Sequence, residues 1–438
     1  MKKITVIGTG YVGLVSGAGI SDFGHLVICA DIVEEKVNLL KNGEMPIYEP
    51  GLSDLVERNV SAGRLSFTTD VDQAIQSADV VFIAVGTPQG DNGEANISAV
   101  ESVATSIGKN LNAYKVICTK STVPIGTGDH ICELIQAAME EDREFDYVSN
   151  PEFLREGSAV KDFLWPDRVV IGATSERAFA VMQDVYRPLY VNEKSMLHTN
   201  VATAEMIKYA ANAFLALKIS YINEVANLCE EVGADVHQVA KGMGQDGRIS
   251  PKFLHPGPGF GGSCFPKDIH AFAALSNNKG LPMKTIEAAI SANDYQKTRM
   301  TEKMKSLIGG DFTGKHIAVL GLAFKPNTDD VRESSSIAMI RTILDHGGYI
   351  KAYDPIANES MKEIFPEIIC FESWELACKD ADGVVIMTEW NEFRGMSIKV
   401  LKSLVSAPVI LDTRNILSIE KLNEYGFIFD NVGRKSVL

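Results

Sequence analysis

The densest group of chemically useful residues is a glycine-rich loop that leads into a cysteine. Residues 257–262 contain four glycines, and Cys264 follows two positions later. A backbone with so few side chains either turns sharply or lies close to a ligand. Lys267 and Asp268 come next, and a nearby cation favours the thiolate, which is the nucleophilic form of cysteine. Most cysteines are small buried hydrophobic residues, but this loop offers few apolar neighbours, so we predict that Cys264 is a reactive nucleophile.

Two carboxylates that could handle protons lie in the segment Asn150–Gly157, directly after the strand-like run 147–149. Glu152 and Glu156 are four residues apart, a spacing that places two side chains on one face of a helical turn. We therefore expect a helical turn here, and a solvated helix start is the alternative.

A second pair with this spacing is Lys208 and Asn212. The segment 202–232 contains no proline and is followed by Gly233, which predicts one long helix. About thirty residues at 1.5 Å each span roughly 45 Å, enough to bridge two domains. An isolated Lys–Asn pair is usually solvated, so a surface position is the alternative to a site on this helix.

The N-terminal residues have the pattern of a dinucleotide-binding unit. The apolar run 3–7 is followed by Gly8-Thr9-Gly10-Tyr11-Val12-Gly13, a helix-like segment, and a second apolar run that ends in Asp31. The glycines permit the turn, the approach of a pyrophosphate and helix–strand packing, and the helix N-terminus favours negative charge. Asp31 can bind the ribose hydroxyls but would repel a 2′-phosphate, which predicts NAD rather than NADP. The alternatives are a glycine turn without a ligand and a solvated strand end.

A hydride acceptor combined with a thiol nucleophile indicates one type of chemistry. An aldehyde adds the thiolate, and the resulting thiohemiacetal gives up a hydride to leave a thioester, whose hydrolysis releases an acid.

The C-terminal part repeats the first half. Residues 316–321 resemble the first strand and turn, and residues 349–354 resemble the strand that ends in Asp31. Only one glycine of the fingerprint is present here and Phe324-Lys325-Pro326 interrupts it, so we expect this half to bind a different anionic ligand. The pattern predicts an α/β fold in which two Rossmann-like domains with parallel sheets are joined by a long central helix and a helical middle region. The predicted boundaries are 1–198, 199–308 and 309–438.

Composition narrows the class of protein. The 438 residues are 45% hydrophobic and 23% charged, as in globular proteins, and the net charge of −15 argues against nucleic-acid or anionic-membrane partners. Residues 2–7 enter the first strand directly, without a signal peptide or membrane span, so we expect a cytosolic protein. Seven scattered cysteines without a Cys-x-x-Cys pair predict free thiols, and Cys29 and Cys118 in apolar runs are expected to be buried. The eight histidines have no metal-like spacing, so no metal is expected.

These motifs together resemble the UDP-glucose/GDP-mannose dehydrogenase family over essentially the whole chain. The segments that carry the resemblance are Gly8–Gly13, Lys120–Gly126, Asn150–Glu156, the Lys208/Asn212 helix, Gly261–Asp268, Phe324-Lys325 and Asp329–Ser334. The resemblance implies two successive oxidations of UDP-glucose to UDP-glucuronate by two NAD⁺, without release of the aldehyde, followed by hydrolysis of a thioester. GDP-mannose or a UDP-N-acetylhexosamine is the alternative substrate.

The resemblance also implies residue roles. Cys264 would be the nucleophile, and Lys208 and Asn212 would donate hydrogen bonds to the oxygen at C6. Asp268 would orient Lys208 or a water, and Glu152 would act as general acid/base with help from Thr122. The implied NAD-binding residues are Gly8, Gly10, Tyr11, Val12, Gly13, Asp31, Lys36, Thr87, Thr122, Glu156, Lys267 and Arg332.

The nucleotide sugar would be bound mainly by residues of the helix, the glycine-rich loop and the C-terminal half. The implied set is Glu152, Phe153, Leu154, Lys208, Asn212, Arg248, Phe253, Gly259, Phe260, Gly261, Phe324, Lys325 and Arg414. Arg248 would reach the neighbouring subunit's site, and the long helix would form the contact of a homodimer. Two rival functions are a two-electron hydroxyacid dehydrogenase, which needs no thiol, and a non-catalytic NAD-responsive protein.

Overall fold

The chain forms two compact units, residues 1–211 and 212–438. The computed structural model describes residues 1–90, 92–191 and 195–434. Residues 212–308, predicted to belong to a separate middle region, group with the C-terminal residues in this division. The three-part boundaries therefore stay a prediction.

The first unit is built on an eight-stranded sheet. Its strands in chain order are β1 (Lys3–Ile7), β2 (Leu26–Ala30), β3 (Leu65–Thr68), β4 (Val80–Ile83), β5 (Lys115–Thr119), β6 (Phe145–Ser149), β7 (Arg168–Ala173) and β8 (Ser195–Thr199). The spatial order is β3-β2-β1-β4-β5-β6-β7-β8. Every residue of β4 and β5 is buried, as expected for strands covered on both faces.

One pairing in this sheet departs from the predicted parallel arrangement. Strands β6 and β7 are antiparallel, whereas the other neighbours are parallel. Mixed sheets with an antiparallel pair towards one edge are common in doubly wound folds, and the apolar runs used for the prediction carry no information on strand direction.

Nine helices follow the strands of the first unit in the described residues. They are α1 (Tyr11–Asp22), α2 (Glu34–Lys41), α3 (Leu52–Ser61), α4 (Val71–Ser77), α5 (Ser98–Lys109), α6 (Thr127–Ala138), α7 (Ala159–Leu164), α8 (Glu176–Val185) and α9 (Arg187–Val191). Asp70 and Ser175 cap α4 and α8 by accepting a hydrogen bond from the first-turn backbone. In such folds, ligands bind beyond the carboxyl ends of the strands, at the loops that follow them. The sheet and the helices packed on it position these loops.

The predicted long helix is present as α10 (Val201–Val232), with 32 residues. At 1.5 Å per residue it is roughly 48 Å long. Lys208 lies on its part within the first unit and Asn212 on its part within the second.

The second unit contains a six-stranded, fully parallel sheet. Its strands are β9 (His316–Leu320), β10 (Tyr349–Tyr353), β11 (Ile369–Cys370), β12 (Gly383–Ile386), β13 (Val409–Asp412) and β14 (Ile428–Asn431). The order β11-β10-β9-β12-β13-β14 repeats the order of the first six strands of the other sheet. The prediction of two Rossmann-like halves is thus confirmed.

The remaining helices all belong to the second unit. They are α11 (Val236–Gly244), α12 (Phe265–Asn278), α13 (Lys284–Leu307), α14 (Ser335–Asp345), α15 (Asn358–Ile364), α16 (Trp374–Cys378), α17 (Asn391–Arg394), α18 (Ile398–Leu404) and α19 (Ile419–Glu424). In the part of the chain that the structure describes, no helix is both long and apolar enough to span a membrane.

Candidate active site

The glycine turn between β1 and α1 has the geometry of a dinucleotide-binding turn. Gly8 has a φ of +103°, and a Cβ there would lie 2.6 Å from the Ala84 carbonyl oxygen. A Cβ on Gly13 would lie 1.9 Å from the carbonyl oxygen of Gly8, so no larger residue fits between helix and turn. A Cβ on Gly10 would meet nothing within 4 Å. This open space over the start of α1 fits a pyrophosphate that approaches the backbone.

Asp31, at the end of β2, is fixed by its neighbours. Its Oδ2 accepts hydrogen bonds from the backbone N–H and the hydroxyl of Thr9 at 2.7 and 2.8 Å, and its Oδ1 accepts from the Val33 N–H at 3.0 Å. Partial burial acts to raise the pKa of Asp31, but these hydrogen bonds, together with the charge of Lys36, outweigh it and the pKa is lowered. The side chain is therefore a carboxylate that still has acceptor capacity for ribose hydroxyls.

Two hydrogen bonds involve further predicted NAD-binding residues of the first unit, namely Thr87, Thr122 and Tyr11. The Thr87 hydroxyl donates to the Thr122 carbonyl at 2.8 Å, and the Gly157 N–H donates to the Tyr11 hydroxyl at 2.8 Å. Glu156, next to Gly157, is buried. The loop after β4 is thus tied to the loop after β5, and the loop after β6 is tied to the start of α1.

The segment around Glu152 and Glu156 corrects the expectation of a helical turn. Residues 150–155 are irregular, and both glutamates are buried rather than solvated. Pro151 favours extended backbone in Asn150 before it, and the Asn150 side chain is itself held by the Val170 carbonyl at 2.7 Å. The four-residue spacing of the two glutamates therefore does not place them on one helical face.

Glu152 and Lys208 form a buried ion pair. The Lys208 ammonium donates to Oε1 of Glu152 at 2.9 Å and to the Glu152 carbonyl at 2.8 Å. It also lies 5.5 Å from the centre of the Phe153 ring, and the Leu154 N–H donates to the other carboxylate oxygen of Glu152. The structure thus brings four of the predicted site residues together and rules out a solvated Lys208.

The thiol of Cys264 lies at the start of α12. Cys264 is the N-cap residue of this helix and is only half-buried, and its sulfur lies 3.6 Å from the Ser263 hydroxyl. The loop before it, residues 256–262, is buried throughout, whereas Cys264 itself is not. This agrees with the expectation that the loop has too few apolar neighbours to bury the thiol.

Asp268, one turn into α12, connects two other predicted residues. Its Oδ2 accepts from the Asn212 amide and its Oδ1 from the Lys267 ammonium, both at 2.6 Å. Asn212 is buried, so the alternative of a solvated side chain is wrong for this residue too. Asp268 therefore orients Asn212 and Lys267, and its own N–H donates to the Cys264 carbonyl at 2.9 Å. The expected contact with Lys208 or a water stays a prediction.

Cys29 and Cys118 differ from Cys264 in burial. Both are fully buried, and burial raises the pKa of Cys29 to about 12 and that of Cys118 further still. These thiols are inert, as predicted.

The predicted nucleotide-sugar residues of the second unit cluster around the glycine-rich loop. The Arg414 guanidinium donates to the Met387 carbonyl at 2.7 Å and to the Phe324 carbonyl at 3.2 Å. A Cβ on Gly262 would lie 2.7 Å from the Phe324 ring, and a Cβ on Gly257 would lie 3.3 Å from Arg414. A cation and an aromatic ring are thus held against the loop, and their role in binding the nucleotide sugar stays a prediction.

Other residues predicted to bind substrate or cofactor make aromatic contacts, cation–ring contacts or ion pairs. The rings of Phe253 and Phe260 lie 6.1 and 6.2 Å from that of Phe265, and the Lys325 ammonium lies 5.0 Å from the Phe324 ring. Arg332 and Arg248 pair with Asp330 and Asp246, each at 2.7 Å, and the Arg248 side chain is 90% exposed.

Asp354, directly after β10, differs from Asp31 in how its carboxylate is engaged. It occupies the place of Asp31, but its two oxygens accept hydrogen bonds from five donors. They are the backbone N–H groups of Leu322, Ala323, Ile356 and Ala357 and the indole N–H of Trp390. A carboxylate so occupied has no acceptor left for a ribose diol.

Comparison with known proteins agrees with this division. Residues 2–190 match the NAD binding domain of the UDP-glucose/GDP-mannose dehydrogenase family, residues 202–295 match its central domain, and residues 318–419 match its UDP binding domain. The chain belongs to the UDP-glucose/GDP-mannose dehydrogenase family. The resemblance inferred from the sequence is confirmed, and NAD is the cofactor.

Members of the family are similar over the full length. The UDP-glucose 6-dehydrogenase of Rhizobium meliloti is 49% identical over 436 residues, which cover 99% of both chains. The UDP-glucose 6-dehydrogenase TuaD of Bacillus subtilis is 48% identical over 438 residues, which cover 100% of this chain and 94% of that one. The structure of a UDP-glucose dehydrogenase from Pyrobaculum islandicum superimposes with a TM-score of 0.92 at 37% identity, covering 99% and 98% of the two chains.

Sequence reasoning about this family member missed several buried polar residues. Lys120, directly after β5, donates to the Asn150 side chain at 3.2 Å, and burial lowers its pKa to about 8. Glu205, one turn before Lys208 on α10, accepts hydrogen bonds from the Gly126 and Gly128 N–H groups at 2.7 and 3.0 Å. A charged residue shortly after the apolar run Val116–Cys118 was the available signal for Lys120.

No metal site emerges from residues 1–90, 92–191 and 195–434. They contain no group of three or more His, Cys, Asp and Glu side chains that could hold a metal ion.

Proposed function

We propose that the protein oxidises the C6 alcohol of UDP-glucose to a carboxylate, with Cys264 as the covalent nucleophile. The observation that carries this proposal is the half-buried Cys264 at the start of α12, beside the Asn212–Asp268–Lys267 group. The full-length relatives named UDP-glucose 6-dehydrogenase support the choice of substrate.

The first oxidation converts the alcohol to an aldehyde, with loss of the hydroxyl proton to water and of a hydride from C6. When bound, NAD⁺ accepts a hydride from the substrate carbon in each of the two oxidations. Lys208 and Asn212 donate hydrogen bonds to the oxygen at C6 and stabilise the negative charge that develops on it. Both donors are buried on one helix, so they require little reorganisation when this charge appears.

The second oxidation passes through Cys264. Its thiolate adds to the aldehyde carbon, the oxygen takes a proton, and the thiohemiacetal then loses a proton and a hydride to become a thioester. Water attacks the thioester, which breaks the carbon–sulfur bond and releases the carboxylate and the thiol. We assign Glu152 as the base that takes the proton of this water, with Thr122 as its partner.

The substrate is held mainly by the second unit. Lys325, Arg414 and the partner-directed Arg248 supply the positive charge for a diphosphate, and Phe324 packs beside the glycine-rich loop. The match of residues 318–419 to a UDP binding domain supports this placement.

A homodimer formed along α10 is part of the proposal. Phe214, Tyr221 and Leu228 repeat every seven residues and are 60%, 49% and 61% exposed. Such an exposed apolar stripe favours a partner helix. The 90% exposed Arg248 side chain is paired with Asp246 at 2.7 Å and would leave this surface ion pair to extend into the site of a second copy.

A cytosolic location also stays part of the proposal. All seven cysteines are free thiols, which is typical of a reducing compartment.

The stoichiometry of NADH tests the function. Purified protein would be incubated with NAD⁺ and limiting UDP-glucose, GDP-mannose or UDP-N-acetylhexosamines, and NADH and sugar product would be counted. We expect two NADH for each UDP-glucose consumed, and slower turnover of the other sugars. One NADH per substrate would favour a two-electron dehydrogenase, and no NADH with any sugar would favour a non-catalytic NAD-responsive protein.

A further inference from the structure

The glycine-rich loop before Cys264 is held by buried amide side chains from two helices. Asn223 on α10 and Asn293 and Gln296 on α13 are 1%, 3% and 0% exposed. We call these three side chains the amide clamp. Their contacts are with the main chain of Gly257 and Phe260, which lie seven and four residues before the nucleophile.

Asn293 makes the most specific contact of the clamp. Its Oδ1 accepts a hydrogen bond from the Phe260 N–H at 2.7 Å, and its Nδ2 donates to the Phe260 carbonyl at 3.1 Å. One side chain thus satisfies both polar backbone groups of one residue, as a neighbouring β-strand would. Asn223 and Gln296 divide the same task at Gly257, with an acceptor and a donor at 2.8 Å each.

The orientation of these amides is fixed by their partners. Arg299 can only donate, and its Nε donates to Oδ1 of Asn227 at 3.0 Å. The Asn227 amide then donates to Oε1 of Gln296 at 2.9 Å, which leaves the Gln296 amide nitrogen to donate to Gly257. The two opposite partners at Phe260 fix Asn293 in the same way.

The other side of the loop is closed by the segment before α14. A Cβ on Gly261 would lie 2.2 Å from the Glu333 carbonyl oxygen. The Gly262 N–H donates to the Arg332 carbonyl at 2.8 Å. The loop is therefore contacted from both sides, and its position depends on the hydrogen bonds from the amide clamp.

We propose that Asn293 is a positioning residue for the nucleophile, acting through the main chain of Phe260. The inference rests on the proposed function of Cys264. The clamp is uncharged, so it fixes the loop without placing a further charge near the thiol. The charged neighbours Lys267 and Asp268 are left to set the electrostatics of the thiol, while the clamp sets its place.

The test compares Asn293→Ala with Asp294→Ala, an exposed neighbour on the same helix. Asn293→Ala leaves two buried backbone groups without partners, so the loop shifts. Because a displacement of about 1 Å lowers rates by roughly a hundredfold, we expect kcat for UDP-glucose to fall at least about tenfold. The affinity for NAD⁺ should stay within about twofold, because the glycine turn belongs to the other unit.

Thiol alkylation provides a second measurement that does not depend on turnover. Iodoacetamide would be added to the folded protein, and modification would be followed by peptide mass spectrometry. We expect the alkylation rate of Cys264 to change at least about threefold in Asn293→Ala, while that of the half-buried Cys370 stays the same. Asp294→Ala should match the wild type in every measurement.

A merely structural role for Asn293 predicts a different result. The melting temperature would fall, but kcat at low temperature and the alkylation rate of Cys264 would remain within about twofold of the wild type. That result overturns the proposal.

Hydrogen exchange of the wild-type protein covers the case in which Asn293→Ala does not fold. The proposal expects the Phe260 amide hydrogen to exchange as slowly as those in the middle of α13. Exchange as fast as in the exposed turn 279–281 overturns it.

Failure of the function and failure of the clamp can be told apart. A wild-type protein that yields no NADH from UDP-glucose contradicts the proposed function, and the alkylation and exchange results then still decide whether Asn293 holds the loop. A wild-type protein that yields two NADH, together with an unaffected Asn293→Ala, contradicts only the inference about the clamp.

Discussion

Lys208 and Glu152 form an ion pair of 2.9 Å in which the two side chains are 4% and 5% exposed. Removing one partner of such a pair leaves an uncompensated buried charge, which lowers stability by about 3–5 kcal/mol. We therefore expect Lys208→Met to lower the free energy of unfolding by that amount and to abolish oxidation of UDP-glucose. Denaturant unfolding and NADH release measure the two effects.

A double variant separates the two effects of this pair. Lys208→Met with Glu152→Gln removes both charges, so most of the lost stability should return while activity stays absent. Lys218→Met is the control and should retain both, because Lys218 lies on the same helix but donates to the Ile249 and Ser250 carbonyls at 3.1 and 3.5 Å instead of to a carboxylate. An active double variant would contradict the assigned roles of Lys208 and Glu152.

Replacing the nucleophile should stop acid formation without affecting the cofactor. Cys264→Ala removes the sulfur that carries the thioester, so we expect UDP-glucuronate formation to fall by at least about a thousandfold. NAD⁺ affinity, measured by calorimetry, should not change. Cys370→Ala, which removes another half-buried thiol, should behave like the wild type. Wild-type turnover by Cys264→Ala would disprove covalent catalysis by this residue.

Two glycines of the same turn should respond differently to alanine. Gly10 has a φ of −73° and open space around its Cβ position, so Gly10→Ala should fold with normal stability but bind NAD⁺ at least about tenfold more weakly. Gly13→Ala places a methyl group 1.9 Å from the Gly8 carbonyl oxygen and should lower the melting temperature. Calorimetric NAD⁺ titration and thermal unfolding of both variants test this. Equal effects on stability would show that the turn is looser than described.

The stability of the first unit should depend on the ionisation of Glu205. Burial raises the pKa of this glutamate to about 7, against the two hydrogen bonds from Gly126 and Gly128 that lower it. Its folded pKa is therefore above its unfolded pKa of 4.5, so the contribution to stability is complete below pH 4.5 and is lost as the pH rises to 7. The shift corresponds to a loss of up to about 3 kcal/mol.

Glu205→Gln isolates this dependence, because glutamine does not titrate. The unfolding free energy of the wild type minus that of Glu205→Gln should fall between pH 5 and pH 7.5 and level off above. A difference that stays constant over this range, or rises with pH, would mean that Glu205 is ionised in the folded protein without penalty.

The exposed stripe on α10 should control the oligomeric state. Phe214→Glu places a charge in the proposed dimer contact, where its desolvation is unfavourable. Light scattering at about 10 µM should show a dimer for the wild type and a monomer for Phe214→Glu. Leu281→Glu, at a 73% exposed position outside the stripe, should remain dimeric. A dimeric Phe214→Glu would place the contact elsewhere.

Much of the architecture followed from local patterns. The apolar runs and the glycine turn predicted β1, α1 and β2, and the absence of proline predicted α10 almost to the residue. The turn residues were predictable because local steric constraints require a glycine at these positions. The direction of β7 was not, because an apolar strand buried on both faces reads the same in either direction.

The sequence by itself determined which chemically useful groups are present. They are a dinucleotide-binding glycine turn, Asp31 after the following strand, a thiol at the end of a glycine-rich loop, and two polar residues one turn apart on a long helix. These are short-range patterns, in which the residue types are read directly. Only the tertiary structure decided which polar groups pair: Lys208 with Glu152, Asn212 with Asp268, and Asn293 with the main chain of Phe260. These partners are 33 to 56 residues apart in the sequence. Burial requires each polar group to have a partner, because burying an unpaired polar group costs free energy. No local sequence pattern indicates which residue that partner is.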